Sequence, residues 1–337
     1  MGKPLVFVTR RIPEPALNLL REHVALSLWD ELKPVPRDVL LREVAHAEGL
    51  ITMLSDRVDA ELLNAAPRLR VVANMAVGYD NIDLHALTEH GVVVTNTPDV
   101  LTEATADMAW ALLLAAARRV VEGHKVVESG RWETWHPFYM LGQEVHGATL
   151  GVVGAGRIGA AVMRRGLAFH MRLQYYSRRR VPQLEAALGA TYCALDDLLR
   201  TSDFVVVTVP LTEETRGMFG AREFALMKDT AVFVNVARGG VVKEAELVEA
   251  LRRGRPWAAG LDVFAVEPTP PNNPLLSLPN VVATPHVGSA TLRTRTAMAV
   301  LAARNVIAVL SGQPPLTPVN VEVLKARDRS ASASAQS

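Results

Sequence analysis

The sequence predicts an α/β fold of two parallel-sheet domains with a cleft between them. Short β-branched runs alternate with helical patterns along almost all of the 337 residues, which is typical of βα units. The alternation starts afresh at ATLGVV after one long helical pattern. A chain of this length can form two domains with separate cores.

Composition excludes several classes of function. Hydrophobic residues make up 49% and charged residues 21%, and the formal net charge is +1. No global field therefore attracts nucleic acid or an anionic membrane, and neither is expected as a partner. The single Cys193 excludes an intrachain disulfide framework, and the apolar run within MGKPLVFVTRR is too short for a signal peptide. We expect a cytoplasmic protein without a metal site.

The first hundred residues contain a complete α/β series. The predicted strands are LVFVT, ALSLW, GLITM, VVAN and VVVT, and the predicted helices are Glu14–Glu22, Arg37–Ala45, Asp59–Ala65 and Asp83–Glu89. A long helical pattern then begins near Thr102, whose hydroxyl can cap it, and ends at Gly130. As one helix of ~28 residues it would be ~40 Å long, enough to bridge two domains.

A second series follows, and its predicted strands are ATLGVV, RLQYYS, FVVVTV, AVFVNV, AAGLDV and NVVATP. The helical stretch from about 290 to 310 is predicted to return to the first domain. The predicted boundaries are 1–101 with 290–325 for a discontinuous first domain, 102–289 for the second, and 326–337 for a disordered tail.

A glycine-rich turn, Gly154-Ala155-Gly156-Arg157-Ile158-Gly159, follows ATLGVV and opens a helical pattern. This strand–turn–helix context predicts a dinucleotide site in a Rossmann-like domain. Gly154 permits the tight turn, Gly156 lets a pyrophosphate approach the backbone, and Gly159 allows close packing of helix and strand. The helix N-terminus offers N–H groups and partial positive charge to the phosphates.

The second strand of this series ends at Ser177-Arg178-Arg179-Arg180. NAD-selective enzymes usually have an acidic residue at this strand end, and none is present here. A serine hydroxyl and guanidinium groups would bind a 2′-phosphate, so Ser177, Arg178 and Arg179 predict NADPH as the preferred cofactor, with NADH as a second option. The alternative is a solvated basic loop.

Three charged side chains lie where separate strands stop: Arg238 after AVFVNVA, Glu267 after AAGLDVFAV, and His286 after NVVATP. The carboxyl ends of parallel strands face the ligand crevice. His286 can protonate a carbonyl oxygen, because an unperturbed histidine titrates at about 6.5. Glu267 would orient the ring and favour the imidazolium, and Arg238 can bind a substrate carboxylate and carbonyl oxygen. Taken singly, each has an alternative: a surface ion pair for Arg238, a loop residue for Glu267 and a structural histidine for His286.

Two further sites follow from strand ends. Asp262, at the end of AAGLD, can accept a hydrogen bond from the cofactor carboxamide, although a turn or cap role is the alternative. Residues 76–81 follow VVAN and include Gly78, which permits a turn that aims successive N–H groups at an anion.

These motifs together resemble the D-2-hydroxyacid dehydrogenase family, most closely its glyoxylate/hydroxypyruvate reductase branch. The resemblance covers residues 4 to 322. The matching segments are VVANMAVGYDNID (71–83), TEATADMAWALLLAAARR (102–119), WETWHPFYMLGQEVHGATLGVVGAGRIG (132–159), VFVNVARGGVVKEAELVEAL (232–251), GLDVFAVEP (260–268) and TPHVGSAT (284–291). One departure is FAVEP, which keeps only the last carboxylate of a glutamate-rich region.

The resemblance implies Arg238, Glu267 and His286 as the catalytic residues, a substrate domain at 1–101 with 290–325, and a dinucleotide domain at 102–289. It implies a homodimer with the 102–130 segment in its interface. Substrate contacts are expected from the Val77 and Gly78 amides, from Leu54 as a pocket wall, and from Trp135 as a lid from the partner, with core packing as the alternative. Further expected cofactor contacts are Thr105, Arg157, Ile158, Val209, Pro210, Thr215, Val236, Ala237 and Gly288.

The favoured reaction is reduction of glyoxylate to glycolate, or of hydroxypyruvate to D-glycerate, with NADPH. Within the enzyme class the alternatives are a dehydrogenase for a larger 2-keto acid and a phosphite dehydrogenase. From a different class, a nicotinamide-sensing binding protein similar to transcriptional corepressors is the alternative.

Overall fold

The computed structural model describes residues 2–326, which form two compact units. One unit consists of residues up to 101 together with residues from 290 onwards, and the other spans Thr102–Ser289. Each unit contains one sheet in which all strand pairs are parallel, so the predicted α/β class is confirmed. The tail predicted at 326–337 lies outside the described residues from 327 on.

Every run that the sequence assigns to a strand forms one, and the structure adds the two-residue strand β8. The strands are β1 (Leu5–Val8), β2 (Ala25–Leu28), β3 (Gly49–Thr52), β4 (Val71–Asn74), β5 (Val93–Thr95), β6 (Thr149–Val153), β7 (Arg172–Tyr176), β8 (Thr191–Tyr192), β9 (Phe204–Val207), β10 (Val232–Asn235), β11 (Ala258–Leu261) and β12 (Val281–Ala283).

Helices connect successive strands, as is usual for parallel pairing, except that only a 3-10 turn (Pro274–Ser277) lies between β11 and β12. They are α1 (Glu14–His23), α2 (Arg37–Val44), α3 (Ala60–Ala65), α4 (Leu84–Glu89), α5 (Thr102–Ala117), α6 (Val120–Glu128), α7 (Arg157–Gly166), α8 (Pro182–Leu188), α9 (Leu195–Thr201), α10 (Ala221–Leu226), α11 (Glu244–Arg252) and α12 (Leu292–Leu310). Within residues 2–326, no helix combines the length and apolar composition needed to cross a membrane.

The sheet of the first unit has the flavodoxin-like strand order β2-β1-β3-β4-β5. Alternate side chains of each strand enter cores on opposite faces. Val6 and Val8 pack with residues of α1 and α12, whereas Phe7 between them packs with residues of α2, α3 and α4. Because both faces are covered, β1, β3, β4 and β5 are apolar except for polar residues at the carboxyl ends of β3, β4 and β5.

The sheet of the second unit has the order β12-β11-β10-β9-β6-β7-β8. The chain builds outwards from β6 through β7 to β8, then crosses to β9 on the other side of β6. This reversal places the carboxyl ends of β6 and β9 side by side, as the pairing of Val153 with Val207 shows. In open α/β sheets, ligands bind outside the strand ends at such a reversal.

The prediction of one continuous helix from 102 to 130 is wrong. Arg119 adopts a left-handed conformation with φ 53° and ψ 37°, which separates α5 from α6. The break frees the Ala117 carbonyl, which accepts a hydrogen bond from the Gln143 N–H at 2.9 Å, and the Arg119 guanidinium binds Glu122 through two nitrogens. Helix α5 buries half of its residues, whereas α6 buries none, so the two helices have different environments.

Candidate active site

The glycine-rich turn connects β6 to α7. Gly154 has φ +108°, and an added Cβ there would lie 2.9 Å from the Val209 nitrogen. At Gly159 an added Cβ would lie 2.0 Å from the Gly154 carbonyl oxygen, so any side chain at this position would collide with the turn. At Gly156, by contrast, an added Cβ would meet nothing within 4 Å, and no side chain caps α7. The turn therefore leaves open space before a helix N-terminus, which fits a dinucleotide pyrophosphate. Arg157 and Ile158, both predicted contacts, form the first turn of this helix.

Ser177 and the arginines follow β7, which pairs with β6. The Tyr176 carbonyl accepts the Gly154 N–H at 2.8 Å, so Ser177 lies beside the glycine turn. The Ser177 hydroxyl donates to the Arg179 carbonyl, and the exposed Arg178 forms an ion pair with Glu214 at 3.0 Å. Arg179 is exposed, and its side chain makes no hydrogen bond or ion pair within residues 2–326.

Val209 and Pro210 follow β9, the strand across the reversal from β7. The Thr208 hydroxyl, one residue earlier, donates to the Gly154 carbonyl at 2.7 Å and so fastens this segment to the glycine turn. Thr215 closes the following loop, because its hydroxyl donates to the Pro210 carbonyl at 2.6 Å. Three predicted cofactor contacts therefore belong to one loop at the same sheet edge as the glycines.

Arg238 follows β10 in a turn shaped by Asn235. The buried Asn235 side chain accepts from the Ala237 N–H at 3.0 Å and donates to the Arg238 carbonyl at 3.0 Å. Val236 and Ala237 are buried in this turn, whereas the Arg238 side chain is half-buried and donates to the Ala237 carbonyl at 2.9 Å. The backbone that carries the Arg238 guanidinium group is thus held in place by Asn235.

Asp262 follows β11 and is 1% exposed. Its Oδ1 accepts from the Thr284 hydroxyl at 2.6 Å and the Val287 N–H at 2.8 Å, and its Oδ2 accepts from the Gly288 N–H at 2.8 Å. An added Cβ at Gly288 would lie 3.2 Å from Asp262 Oδ2 and 3.3 Å from Cγ2 of the buried Thr105. Asp262, Gly288 and Thr105 therefore form one packed group, in which Asp262 holds the loop that follows β12.

His286 lies in that loop, at φ 52°. Its N–H donates to the Asp262 carbonyl at 2.8 Å, and its ring Nδ1 lies 2.6 Å from Glu267 Oε2. The other ring nitrogen, Nε2, makes no hydrogen bond within residues 2–326, and the side chain is partly open to solvent. With a proton on Nδ1 directed at the carboxylate, Nε2 is the nitrogen that remains available to a substrate.

Glu267 is held from a second side, because its Oε1 accepts the Phe264 N–H at 2.9 Å. Burial acts to raise the pKa of Glu267, but the hydrogen bond from His286, the hydrogen bond from Phe264 and the nearby positive charges of His286 and Arg238 lower that pKa by more. The carboxyl group is therefore ionised well into the acidic range. Its charge and fixed position make it an orienting partner for the imidazole.

The substrate contacts predicted in the first unit belong to two loops at one sheet edge. Leu54 follows β3, and Val77 and Gly78 follow β4, its neighbour in the sheet. Asn81 links the two loops, because its side-chain amide donates to the carbonyls of Met53 and Asp56.

Trp135 is 75% exposed, so core packing does not account for it. Within residues 2–326, no hydrogen bond, ion pair or ring contact joins its side chain to the other predicted site residues. The structure also shows positioning residues that the sequence analysis did not identify, among them Thr208, Asn235 and Thr284. Their only signal in the sequence is a polar residue at or just after the end of an apolar strand.

In chemical terms, the second unit combines a turn suited to a dinucleotide, a fixed acid–base pair and a guanidinium group. These groups are what hydride transfer to a carbonyl requires: a place for the cofactor, a proton for the carbonyl oxygen and a cation for the developing negative charge.

Comparison with known proteins agrees with this chemistry. Residues 110–288 match the family model described as D-isomer specific 2-hydroxyacid dehydrogenase, NAD binding domain. A protein of Thermococcus kodakarensis named glyoxylate reductase is 53% identical, over 96% of this chain and 98% of its own length. A glyoxylate reductase of Pyrococcus furiosus is 54% identical over the same shares.

Solved structures are similar over nearly the whole chain. A Thermus thermophilus protein has a TM-score of 0.87 at 46% identity, with 94% of this chain and 99% of that one covered. An NADPH-dependent glyoxylate/hydroxypyruvate reductase of Sinorhizobium meliloti, solved with NADP and malonate, has a TM-score of 0.82 at 37% identity, with 94% and 97% covered. The chain therefore belongs to the D-isomer specific 2-hydroxyacid dehydrogenase family and is an NAD(P)-dependent oxidoreductase.

Proposed function

We propose that this protein reduces glyoxylate to glycolate and hydroxypyruvate to D-glycerate, with NADPH as the preferred hydride donor. The observation that supports this most directly is the 2.6 Å contact between His286 Nδ1 and Glu267 Oε2, with Nε2 left available. The names of the relatives support the substrate class, because several proteins about half identical to this chain are glyoxylate reductases.

His286 is the proposed acid. When bound, a reduced nicotinamide supplies a hydride to the carbonyl carbon of the keto acid. The Nε2–H of the His286 imidazolium donates its proton to the carbonyl oxygen, which becomes the hydroxyl of the product. The neutral ring then takes a proton from solvent, and Glu267 keeps the ring in one orientation throughout.

Arg238 and the first unit bind the rest of the substrate in this proposal. The guanidinium group of Arg238 stabilises negative charge on the carboxylate and carbonyl oxygens. The N–H groups of Val77 and Gly78 bind the carboxylate, and the Leu54 side chain limits the space beyond it. The first unit is thus the proposed substrate domain, and the second unit is the proposed dinucleotide domain.

The proposed preference for NADPH rests on the strand end beside the glycine turn. Ser177, Arg178 and Arg179 offer a hydroxyl and two guanidinium groups, and Arg178 is the only one of the two arginines paired with a carboxylate. A doubly charged 2′-phosphate would compete with Glu214 for Arg178, whereas the uncharged ribose hydroxyl of NADH would not.

A homodimer is the proposed assembly. Seven large apolar side chains of the second unit are more than half exposed, and six of them come from α6 and the segment after it: Val120, Val127, Trp132, Trp135, Phe138 and Leu141. Exposed apolar surface of this kind marks an interaction site. A second copy of the chain covering it would account for these side chains, and Trp135 would then be free to reach the partner's substrate.

The reaction is tested with wild-type protein and with His286→Asn. The wild type should oxidise NADPH in the presence of glyoxylate or hydroxypyruvate. The kcat/KM for each of these substrates should be higher than that for pyruvate. Asparagine tolerates the left-handed backbone of residue 286 but cannot donate a comparable proton. We expect kcat to fall by about 10²–10⁴, the usual size of a lost acid, in steady-state assays.

Thermal unfolding and NADPH binding of His286→Asn serve as controls, and both should remain close to wild type. A kcat within threefold of wild type would mean that another group donates the proton.

The arginine site is tested with the double variant Arg178→Ala, Arg179→Ala. Loss of two charge-assisted contacts should raise the KM for NADPH by roughly tenfold or more and leave the KM for NADH within twofold. Arg180→Ala is the matched control, because Arg180 is bound through two nitrogens to Glu185 and should affect neither value. Equal changes for both cofactors would contradict the 2′-phosphate assignment.

The ionised state of Glu267 is tested by the stability of Glu267→Gln at different pH values. Because the pKa of Glu267 is lower in the folded than in the unfolded protein, its ionisation stabilises the fold above the ordinary glutamate pKa of about 4.3, and this contribution is lost as pH falls through the folded pKa. The Tm difference between wild type and variant should be constant from about pH 6 to pH 5 and should shrink below about pH 4.3. A constant difference down to pH 3 would refute the lowered pKa.

The assembly is tested by light scattering. Wild-type protein should have twice the 36.6 kDa mass of one chain. Val120→Glu combined with Val127→Glu should give a monomer with unchanged secondary structure, because α6 buries none of its residues within the chain. A monomeric wild type would end this proposal without affecting the proposed reaction.

A further inference from the structure

The loop of residues 75–81, here called the anion loop, has an unusual division of its backbone groups. The carbonyls of Ala76, Val77 and Gly78 accept hydrogen bonds, from the Thr97 N–H and from the side-chain amides of Asn96 and Asn74, each at 2.8 Å. Within residues 2–326, the N–H groups of Val77, Gly78 and Tyr79 donate to no other residue. The carbonyl groups of the loop are therefore occupied, whereas its N–H groups can donate to a bound anion.

Planarity of the peptide bond links these two sets of groups. The carbonyl of one residue and the N–H of the next belong to one rigid plane and point in opposite directions. The bond from Thr97 thus sets the direction of the Val77 N–H, and the bond from Asn96 sets the direction of the Gly78 N–H. The bond from Asn74 does the same for the Tyr79 N–H.

Asn81 connects this arrangement to the neighbouring loop. Its side-chain nitrogen donates to the carbonyls of Met53 at 3.1 Å and Asp56 at 2.9 Å, and its Oδ1 accepts from Asn74 at 3.1 Å. Residues 53–56 include Leu54 and are held independently, because the buried Asp56 carboxylate accepts from the Met53 N–H at 2.8 Å and from the hydroxyls of Thr9 and Thr52. The anion loop is thereby fastened to an already rigid segment.

We infer that Asn74, Asn81 and Asn96, the asparagine cluster, are positioning residues that aim the backbone N–H groups of Val77 and Gly78 at the substrate carboxylate. This inference rests on the proposed function. The cluster touches no reacting atom, so it acts on binding of the acid rather than on proton or hydride transfer. An oriented amide that needs no reorganisation on binding is worth more than one that must be ordered first.

Asn96→Leu is the main test, because leucine has a similar shape and no donor. With the full-length protein, the KM for glyoxylate and the inhibition constant of glycolate should both rise about tenfold, within the loss that a misplacement of about 1 Å can cause. The kcat at saturating glyoxylate and the KM for NADPH should stay within twofold of wild type. Asn81→Leu should change the same two constants in the same direction, and it provides the test if Asn96→Leu does not fold.

Asn320→Leu is the matched control. Asn320 is 1% exposed in the same unit, and its side chain makes three comparable bonds, to the Val94 N–H, the Val92 carbonyl and the Thr88 hydroxyl. It should lower the Tm without changing the KM for glyoxylate. An equal KM change in Asn320→Leu, an unchanged KM in Asn96→Leu and Asn81→Leu, or a fall in kcat alone would each overturn the inference. A wild type inactive with every 2-keto acid would instead refute the proposed function, and this inference with it.

Discussion

The buried carboxylate of Asp262 is the interaction on which the geometry of the site depends. It is shielded from water and accepts three hydrogen bonds from the loop after β12, so any other path of that loop would leave a buried charge without compensation. The loop is therefore held in one conformation. His286 lies between Thr284 and Val287, two of the residues bonded to Asp262. The position of its ring beside Glu267 therefore depends on a side chain that follows the neighbouring strand β11.

The two units place their polar side chains according to the same pattern. Their strands are mostly apolar because helices cover both faces of each sheet, and several polar groups lie at or just after the carboxyl ends. At those ends, an amide or carboxylate side chain fixes a loop, which follows either its own strand or the neighbouring strand. Asn235 shapes the turn of Arg238, Asp262 holds the loop of His286, and Asn74 holds the anion loop.

Much of the fold and of the candidate site could be predicted from the sequence. The features that could not be predicted depend on contacts between distant segments of the chain. The strands, the glycine turn and the polar strand ends are local patterns, so the fold class and the pairing of His286 with Glu267 could be anticipated. The break at Arg119 could not, because the apolar pattern of α5 and α6 continues across it and the left-handed residue is compensated by a distant segment. Asn96 and Asn81 were equally hidden, because their partners are backbone carbonyls that only the folded loops bring within reach.

The backbone of His286 has one consequence for the evolution of this protein. A residue with a Cβ at φ 52° is held in a conformation that glycine or asparagine adopts more readily, at a cost of about 1 kcal/mol or more to the fold. On stability alone, glycine or asparagine would be favoured at this position. Under the proposed function, the imidazole is retained here for its chemistry, at a small cost to the stability of the loop.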